Sequence, residues 1–271
     1  MYDAERKIIV ITGASAGLGR ALALEAGRRK AKIALLARNR AALEEVRRLV
    51  IDSGGEAVAI PTDVGNQKAV SLAFAEIDSR WGRMDILFNV AGVVEPVKPL
   101  VKIEDDDMLQ SLLVNVLGVY AASREAVKIM QTQLTGGTII NITSGAAVKA
   151  YVGWSMYGSQ KAAVDQFTRI VAEEVKETSI RIAAISPGPF ESRMQQVMRS
   201  SDEADFPMKK KFVDLHESGV LPTPEEIAPM FLDIALADWP ELNGQIEDIR
   251  SGTFQNECGK RNIIIPDRIK S

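Results

Sequence analysis

Apolar residues fall into two kinds of run along the chain. Short blocks rich in Ile, Val and Leu read KIIVIT from Lys7, KIALLA from Lys32, EAVAIP from Glu56, MDILFN from Met84, GTIINIT from Gly137 and IRIAAIS from Ile180, with a weaker QIEDI from Gln245. Little polar alternation interrupts them, so they predict strands buried on both faces. Longer amphipathic segments lie between, such as GRALALEAGRR, AALEEVRRLVID and AAVDQFTRIVAEEV; these are expected to be helices with one apolar face. Alternating strands and helices predict an α/β fold, a parallel sheet with helices on both faces.

One stretch breaks this rhythm. The connection from Pro187 to Pro222 is long for a compact domain, and residues 189–222 are expected to form a mobile element that closes over a bound substrate. After it, Thr223-Pro224-Glu225-Glu226 announces a new helix: a capping hydroxyl, a proline at the first helical position, and acids at the positive end of the dipole. Glu104-Asp105-Asp106-Asp107 reads the same way rather than as a metal site. The tail 252–271 shows no clear pattern and is expected either to pack on a partner subunit or to be loose.

Composition narrows the function. The chain has 271 residues and a net charge of −3, with no dominant basic face. One domain over 1–271 is expected, and nucleic acid is not an expected partner. The Lys209-Lys210-Lys211 run reads as a solvated stretch. Cys258 is the sole cysteine, so no internal disulfide can form. No apolar run approaches the length of a membrane span, and the charged N-terminus does not read as a secretory leader. A cytoplasmic location is therefore expected. His216 is the single histidine, which leaves a His-based triad or a His-rich metal site unsupported; no metal is expected.

The first strand ends in Thr12-Gly-Ala-Ser-Ala-Gly-Leu-Gly19. Gly13, Gly17 and Gly19 stand where a strand turns into a helix, an arrangement that lets backbone approach a pyrophosphate at the helix N-terminus. A plain tight turn is the alternative reading. The strand–turn–helix context favours a dinucleotide, with Ser15 and Leu18 in the same turn as further candidate contacts.

The spacing T-G-x-x-x-G-x-G resembles that of the classical short-chain dehydrogenase/reductase family, and further matches follow in order. Asp63-Val64 follows the third strand, where the family contacts adenine. Asn89-Val90-Ala91-Gly92 resembles the family's N-N-A-G, with Val90 in place of the second asparagine. Asn115, Ser144 and Tyr157-Gly-Ser-Gln-Lys161 match the catalytic set, Pro187-Gly188 the turn covering the nicotinamide, and Ser192 replaces the usual threonine. The resemblance implies a single-domain Rossmann fold with a doubly wound sheet of about seven strands. It also implies cofactor contacts from Gly13, Ser15, Gly17, Leu18, Gly19, Arg38, Asp63, Val64, Asn89, Ala91, Gly92, Tyr157, Lys161, Pro187, Gly188 and Ser192, and a homodimer or homotetramer.

Chemistry supports the catalytic part. Tyr157 and Lys161 are four apart on a helix and share a face. A free phenol has a pKa of about 10, and a neighbouring ammonium is expected to favour its ionised form. Tyr157 then passes a proton, Lys161 tunes it and Ser144 orients the carbonyl. Asn115 resembles the family residue supporting a water path to the lysine; a buried asparagine pinning a bend is the alternative. The second strand ends at Ala37-Arg38-Asn39-Arg40, without the acid that holds ribose hydroxyls in NAD sites. Arg38, helped by Arg40, suits a 2′-phosphate, so NADP(H) is expected over NAD(H). Ordinary surface arginines are the alternative reading.

Stretches around Trp154 and Phe190, and KFVDLHESGVLPTPEEIA, resemble the sepiapterin reductase and benzil reductase branch, without the acid that anchors a pterin there. Tyr151, Trp154, Phe190 and Met194 are either pocket walls or packing. The expected activity is NADPH-dependent reduction of a ketone or aldehyde, reversible by hydride transfer. The alternatives are an NAD-dependent secondary-alcohol dehydrogenase and, in another class, a non-catalytic cofactor-sensing module.

Overall fold

The computed structural model describes residues 1–269. Seven strands form one parallel sheet: β1 (Ile8–Thr12), β2 (Lys32–Ala37), β3 (Glu56–Pro61), β4 (Ile86–Asn89), β5 (Gly137–Ile142), β6 (Ile180–Ser186) and β7 (Ile246–Asp248). Their order is β3-β2-β1-β4-β5-β6-β7, so the winding reverses between β1 and β4. Ligands of such sheets bind beyond the strand C-termini at that reversal. The doubly wound α/β fold is the one expected, and every strand lies within its apolar run.

Successive side chains of a strand point to opposite faces, and two cores result. Ile9 and Ile11 of β1, with Ile33 and Leu35 of β2, pack under α1 (Gly17–Arg28) and α2 (Arg40–Asp52). Val10, Ala34 and Leu36 face the other way, toward α3 (Gln67–Trp81) and its Val70, Phe74 and Ile77. Burial on both faces holds for β1, β2, β4 and β5, whereas β3 is largely half-exposed because it is an edge strand. The other edge, β7, is half-buried throughout.

Beyond β4 the chain forms α4 (Asp105–Leu112) and α5 (Gly118–Met130), joined by a π-helical turn, Leu113–Leu117. Asp105, Asp106 and Asp107 occupy the first turn of α4, as the dipole favours. The helix α6 (Ser155–Glu174) precedes β6.

The connection after β6 is not an irregular loop. It contains α7 (Arg193–Ser200) and α8 (Lys209–Glu217). Its base is closed where Glu191 N–H donates to the Pro222 carbonyl at 3.0 Å. Glu191 also pairs with Arg199 and with His216, which lies exposed on α8. The helix α9 (Pro224–Leu236) starts with the predicted capping box: Thr223 Oγ1 accepts from Glu226 N–H at 3.3 Å, and Glu226 accepts from Thr223 N–H at 2.6 Å.

Residues 252–269 pack on the body of the chain. Gly252–Lys260 forms α10, whose Phe254 stacks on Trp239 at 5.4 Å. Phe254, Cys258, Ile263 and Ile269 all enter the core beside α1 and α9. Burial pushes the Cys258 thiol up to about 12. Lys270 and Ser271 lie outside the described residues. Between α1 and α9, the buried Arg29 guanidinium joins Glu25 and Asp233, and also donates to the Tyr2 carbonyl at 3.1 Å.

Candidate active site

The glycine turn sits at the sheet's reversal. Gly13 adopts φ +71°, and a Cβ there would stand 2.8 Å from Ala91 N. The β1–α1 turn therefore lies directly against the β4 end, and only glycine fits. A Cβ on Gly19 would strike the Gly13 carbonyl oxygen at 2.3 Å. Thr12 fixes the same junction: its Oγ1 accepts from Val90 N–H at 3.1 Å and Ala91 N–H at 3.2 Å. The first-turn N–H groups of α1 remain available, as they must at a helix start, and no side chain caps them. These features fit a dinucleotide's pyrophosphate.

The remaining cofactor candidates divide by where their side chains lie. Ser15, Gly17, Ala91, Gly92, Gly188 and Ser192 are at least partly open near this edge, and Asp63 and Arg38 are exposed. Arg38 follows β2 directly, and neither it nor Arg40 is ion-paired among the described residues. Leu18 is in the core, so any cofactor contact it makes runs through its backbone. Val64 and Pro187 are also buried. Asn89 is a structural tie: its amide donates to Ser123 Oγ at 3.0 Å and Asn141 Oδ1 at 2.8 Å. Ser192 caps α7, accepting from Gln195 N–H at 3.3 Å.

Tyr157 and Lys161 lie one turn apart in α6, both buried. Lys161 Nζ donates to the Ile142 carbonyl at 2.7 Å and lies 5.8 Å from the centre of the Tyr157 ring. Ser144, two residues beyond Ile142, interacts with the Tyr157 hydroxyl, while its Oγ accepts from Ala146 N–H at 3.2 Å. Burial lowers the Lys161 ammonium from its ordinary 10.5 to about 8, with Asp165, one turn further along α6, opposing the shift. Lys161 is not among the influences that set the Tyr157 phenol here. Burial is the larger influence and raises the phenol, against an opposing pull from Ser144.

Asn115 occupies the π-helical turn, which breaks the helix ladder where a side chain must reach elsewhere. Its amide takes both sides of Val93: Oδ1 accepts from Val93 N–H at 2.9 Å, and Nδ2 donates to the Val93 carbonyl at 2.8 Å. Nδ2 also donates to Gln160 Oε1 at 2.7 Å, and Gln160 donates on to Ser111 Oγ at 2.8 Å. Asn115 thus pins the strand exit to α6 beside Lys161, and its direct partners are Val93 and Gln160.

The proposed substrate residues separate. Trp154 meets Tyr151 at 5.1 Å, Tyr157 at 5.4 Å, Phe206 at 5.2 Å and Phe212 at 5.6 Å, as the centre of an aromatic cluster. Met194 packs at its edge, 3.5 Å from where a Gly92 Cβ would stand. Phe190 instead is half-buried and packs against the main core. Thr12, Asn141, Gln160, Phe206 and Phe212 were not singled out from sequence. A polar residue ending a strand was the available signal for Thr12; the others carried none. No cluster of three or more His, Cys, Asp or Glu side chains is placed to hold a metal among the described residues, and no described helix is long and apolar enough to cross a membrane.

A sheet wound about a glycine turn, with a tyrosine–lysine pair one helical turn apart at its edge, defines a class, and residues 7–203 match the model of the short chain dehydrogenases. The chain belongs to the short-chain dehydrogenase family, oxidoreductases that interconvert C–OH and C=O with a nicotinamide cofactor. Among its relatives is a benzil reductase ((S)-benzoin forming) of Bacillus subtilis (strain 168), 33% identical over 90% of this chain and 98% of the relative. An NADP-dependent 3-hydroxy acid dehydrogenase of Schizosaccharomyces pombe is 31% identical over 86% of this chain and 88% of its own. The solved structure of the KRED1-Pglu enzyme superposes with a TM-score of 0.81 at 32% identity, covering 89% of this chain and 99% of that one. The resemblance to the benzil reductase branch thus extends along most of the chain.

Proposed function

We propose that the protein reduces a ketone or aldehyde to an alcohol with NADPH, with Tyr157 as the proton donor. The observation carrying this reading is the cluster of Tyr157, Lys161 and Ser144 at the strand edge beside the glycine turn. Burial keeps the phenol protonated, so Tyr157 holds a proton to give to a carbonyl oxygen. The Lys161 ammonium then stabilises the phenolate left behind, and the Ser144 hydroxyl holds the carbonyl oxygen in line. A bound nicotinamide supplies the hydride. Asn115 acts through Val93 and Gln160 by holding the backbone around Lys161.

The NADP(H) preference rests on Arg38. Ala37 ends β2 without a carboxylate, and an exposed guanidinium follows. Such a fork takes a phosphate through charge-assisted hydrogen bonds. The relative named as NADP-dependent supports the same reading. We assign the protein to the cytosol as a homodimer or homotetramer; the exposed Leu109, Leu112, Leu117 and Ile170 on and between α4, α5 and α6 offer an apolar contact face, and sedimentation would give the subunit number.

Comparing kcat/KM for NADPH and NADH on a carbonyl panel that includes benzil tests the reading. NADPH is expected to lead by about tenfold or more, the scale of one charged hydrogen bond. Equal or better efficiency with NADH would make NAD-dependent alcohol oxidation the better reading, and cofactor binding without turnover would indicate a sensing module.

A further inference from the structure

Arg250 stands two residues beyond β7, at the strand edge that carries the active site. Asp248 holds it: Oδ1 accepts from Arg250 N–H at 2.9 Å and from Nε–H at 2.8 Å, and Oδ2 accepts from Nη2–H at 2.6 Å. Asp248 is anchored in turn, accepting from Ser186 Oγ at 3.2 Å, and Ser186 Oγ accepts from Gly188 N–H at 3.3 Å. The guanidinium therefore has a fixed position.

That position is the rim of the reaction site. A Cβ on Gly188 would stand 2.8 Å from Arg250 Nε, and one on Gly145, the residue after Ser144, would stand 4.0 Å from Nη2. The side chain thus spans from the Pro187-Gly188 turn toward the Ser144 loop, within electrostatic reach of Tyr151. A guanidinium has five donors in a plane. Asp248 takes one from Nε and one from Nη2; no acceptor takes the Nη1 pair or the second Nη2 hydrogen among the described residues. The side chain is 46% exposed, so these donors are open to a ligand. Holding the Gly188 turn requires the donors given to Asp248 and leaves the outward ones without a role. A planar fork, oriented in advance and open on one edge, matches a carboxylate.

We infer that Arg250 selects substrates that carry a carboxylate close to the reacting carbonyl, making oxo acids the preferred class. This rests on the reductase reading of Tyr157 and names the substrate class for the same site.

The test uses two matched pairs: benzoylformate with its methyl ester, and acetoacetate with its methyl ester, whose carboxylate lies one carbon further from the ketone. Binding to the protein saturated with NADP⁺ is measured by calorimetry, and turnover is followed with NADPH. In at least one pair the acid should bind about tenfold or more tighter than its ester, the scale of a charge-assisted contact. In Arg250→Gln the acid-to-ester ratio, in affinity and in kcat/KM, should collapse toward one, chiefly through KM. Arg250→Lys should retain part of it. No preference for the acid in either pair overturns the inference. So does an Arg250→Gln variant in which acid and ester weaken together, since that marks a purely structural arginine. An Arg250-dependent binding preference without NADPH oxidation would uphold Arg250 and sink the reductase reading. Oxidation without that preference would do the reverse.

Discussion

Tyr157 keeps its proton because the aromatic cluster around Trp154 excludes water from one side of it. Removing only the hydroxyl, in Tyr157→Phe, should leave cofactor affinity nearly intact and lower turnover by at least about a hundredfold. Steady-state kinetics on a good carbonyl substrate checks this, and near-normal turnover would remove Tyr157 from the mechanism. Lys161 gives a pH signature. Its folded pKa, about 8, lies below the ordinary 10.5, so the unfolded chain binds this proton more tightly. Burying the charge costs stability at neutral pH, and the cost is relieved as pH rises from about 8 toward 10.5. Urea unfolding of wild type should therefore show a stability gain across that window which Lys161→Met lacks; matching pH slopes in the two proteins would refute it. The catalytic side chains were legible because their chemistry and spacing are local. Their supports were not: Gln160 meets Asn115 across 45 positions, and Thr12 meets Ala91 across 79. Arg250 was equally invisible, since nothing near it in sequence shows that β7 delivers it beside Gly188.

Single interactions also hold elements together, most visibly α1 and α9. Arg29 is a buried cation whose partners, Glu25 and Asp233, are buried too. Removing it in Arg29→Met leaves the buried Asp233 without its counter-charge and Glu25 with Arg28 alone, and breaking such a buried pair costs about 3–5 kcal/mol. Chemical denaturation should register that loss, whereas a change under about 1 kcal/mol would show the cluster to be solvated. Element boundaries were legible where end signals were strong, as at Thr223. The helices α7 and α8 were missed because each is short and polar apart from a few residues such as Met198 and Phe212, and such a pattern reads as loop until something covers it. The half-exposure of β3 and β7 was missed for another reason: a strand's own residues do not state its place in the sheet.

Over the whole molecule, the sheet order puts the glycine turn, the tyrosine–lysine pair and the α7–α8 hairpin on one edge. The hairpin rests against the site through Met194 and through Phe206 and Phe212, which pack on Trp154, and Lys102 pairs with its Asp205 at the rim. We propose that residues 189–222 open and close over cofactor and substrate. Hydrogen exchange there should slow when NADP⁺ is added, while β1, β4 and β5 stay protected throughout; equal protection with and without NADP⁺ would argue for a fixed wall. Parallel layering was legible from the alternation of runs. The docking of α10 was not, because Phe254 and Cys258 gain their meaning only from Trp239 and the α1–α9 surface.

Cys258 turns that docking into a built-in clock. The only thiol of the chain is fully buried and held protonated by its surroundings, so an alkylating reagent cannot reach a thiolate while α10 stays seated. Its modification rate therefore counts departures of α10 from the body. Set beside the rate in denaturant, it yields the free energy of that one local opening, and comparing it with global unfolding tells whether the tail leaves alone or only when the whole sheet gives way.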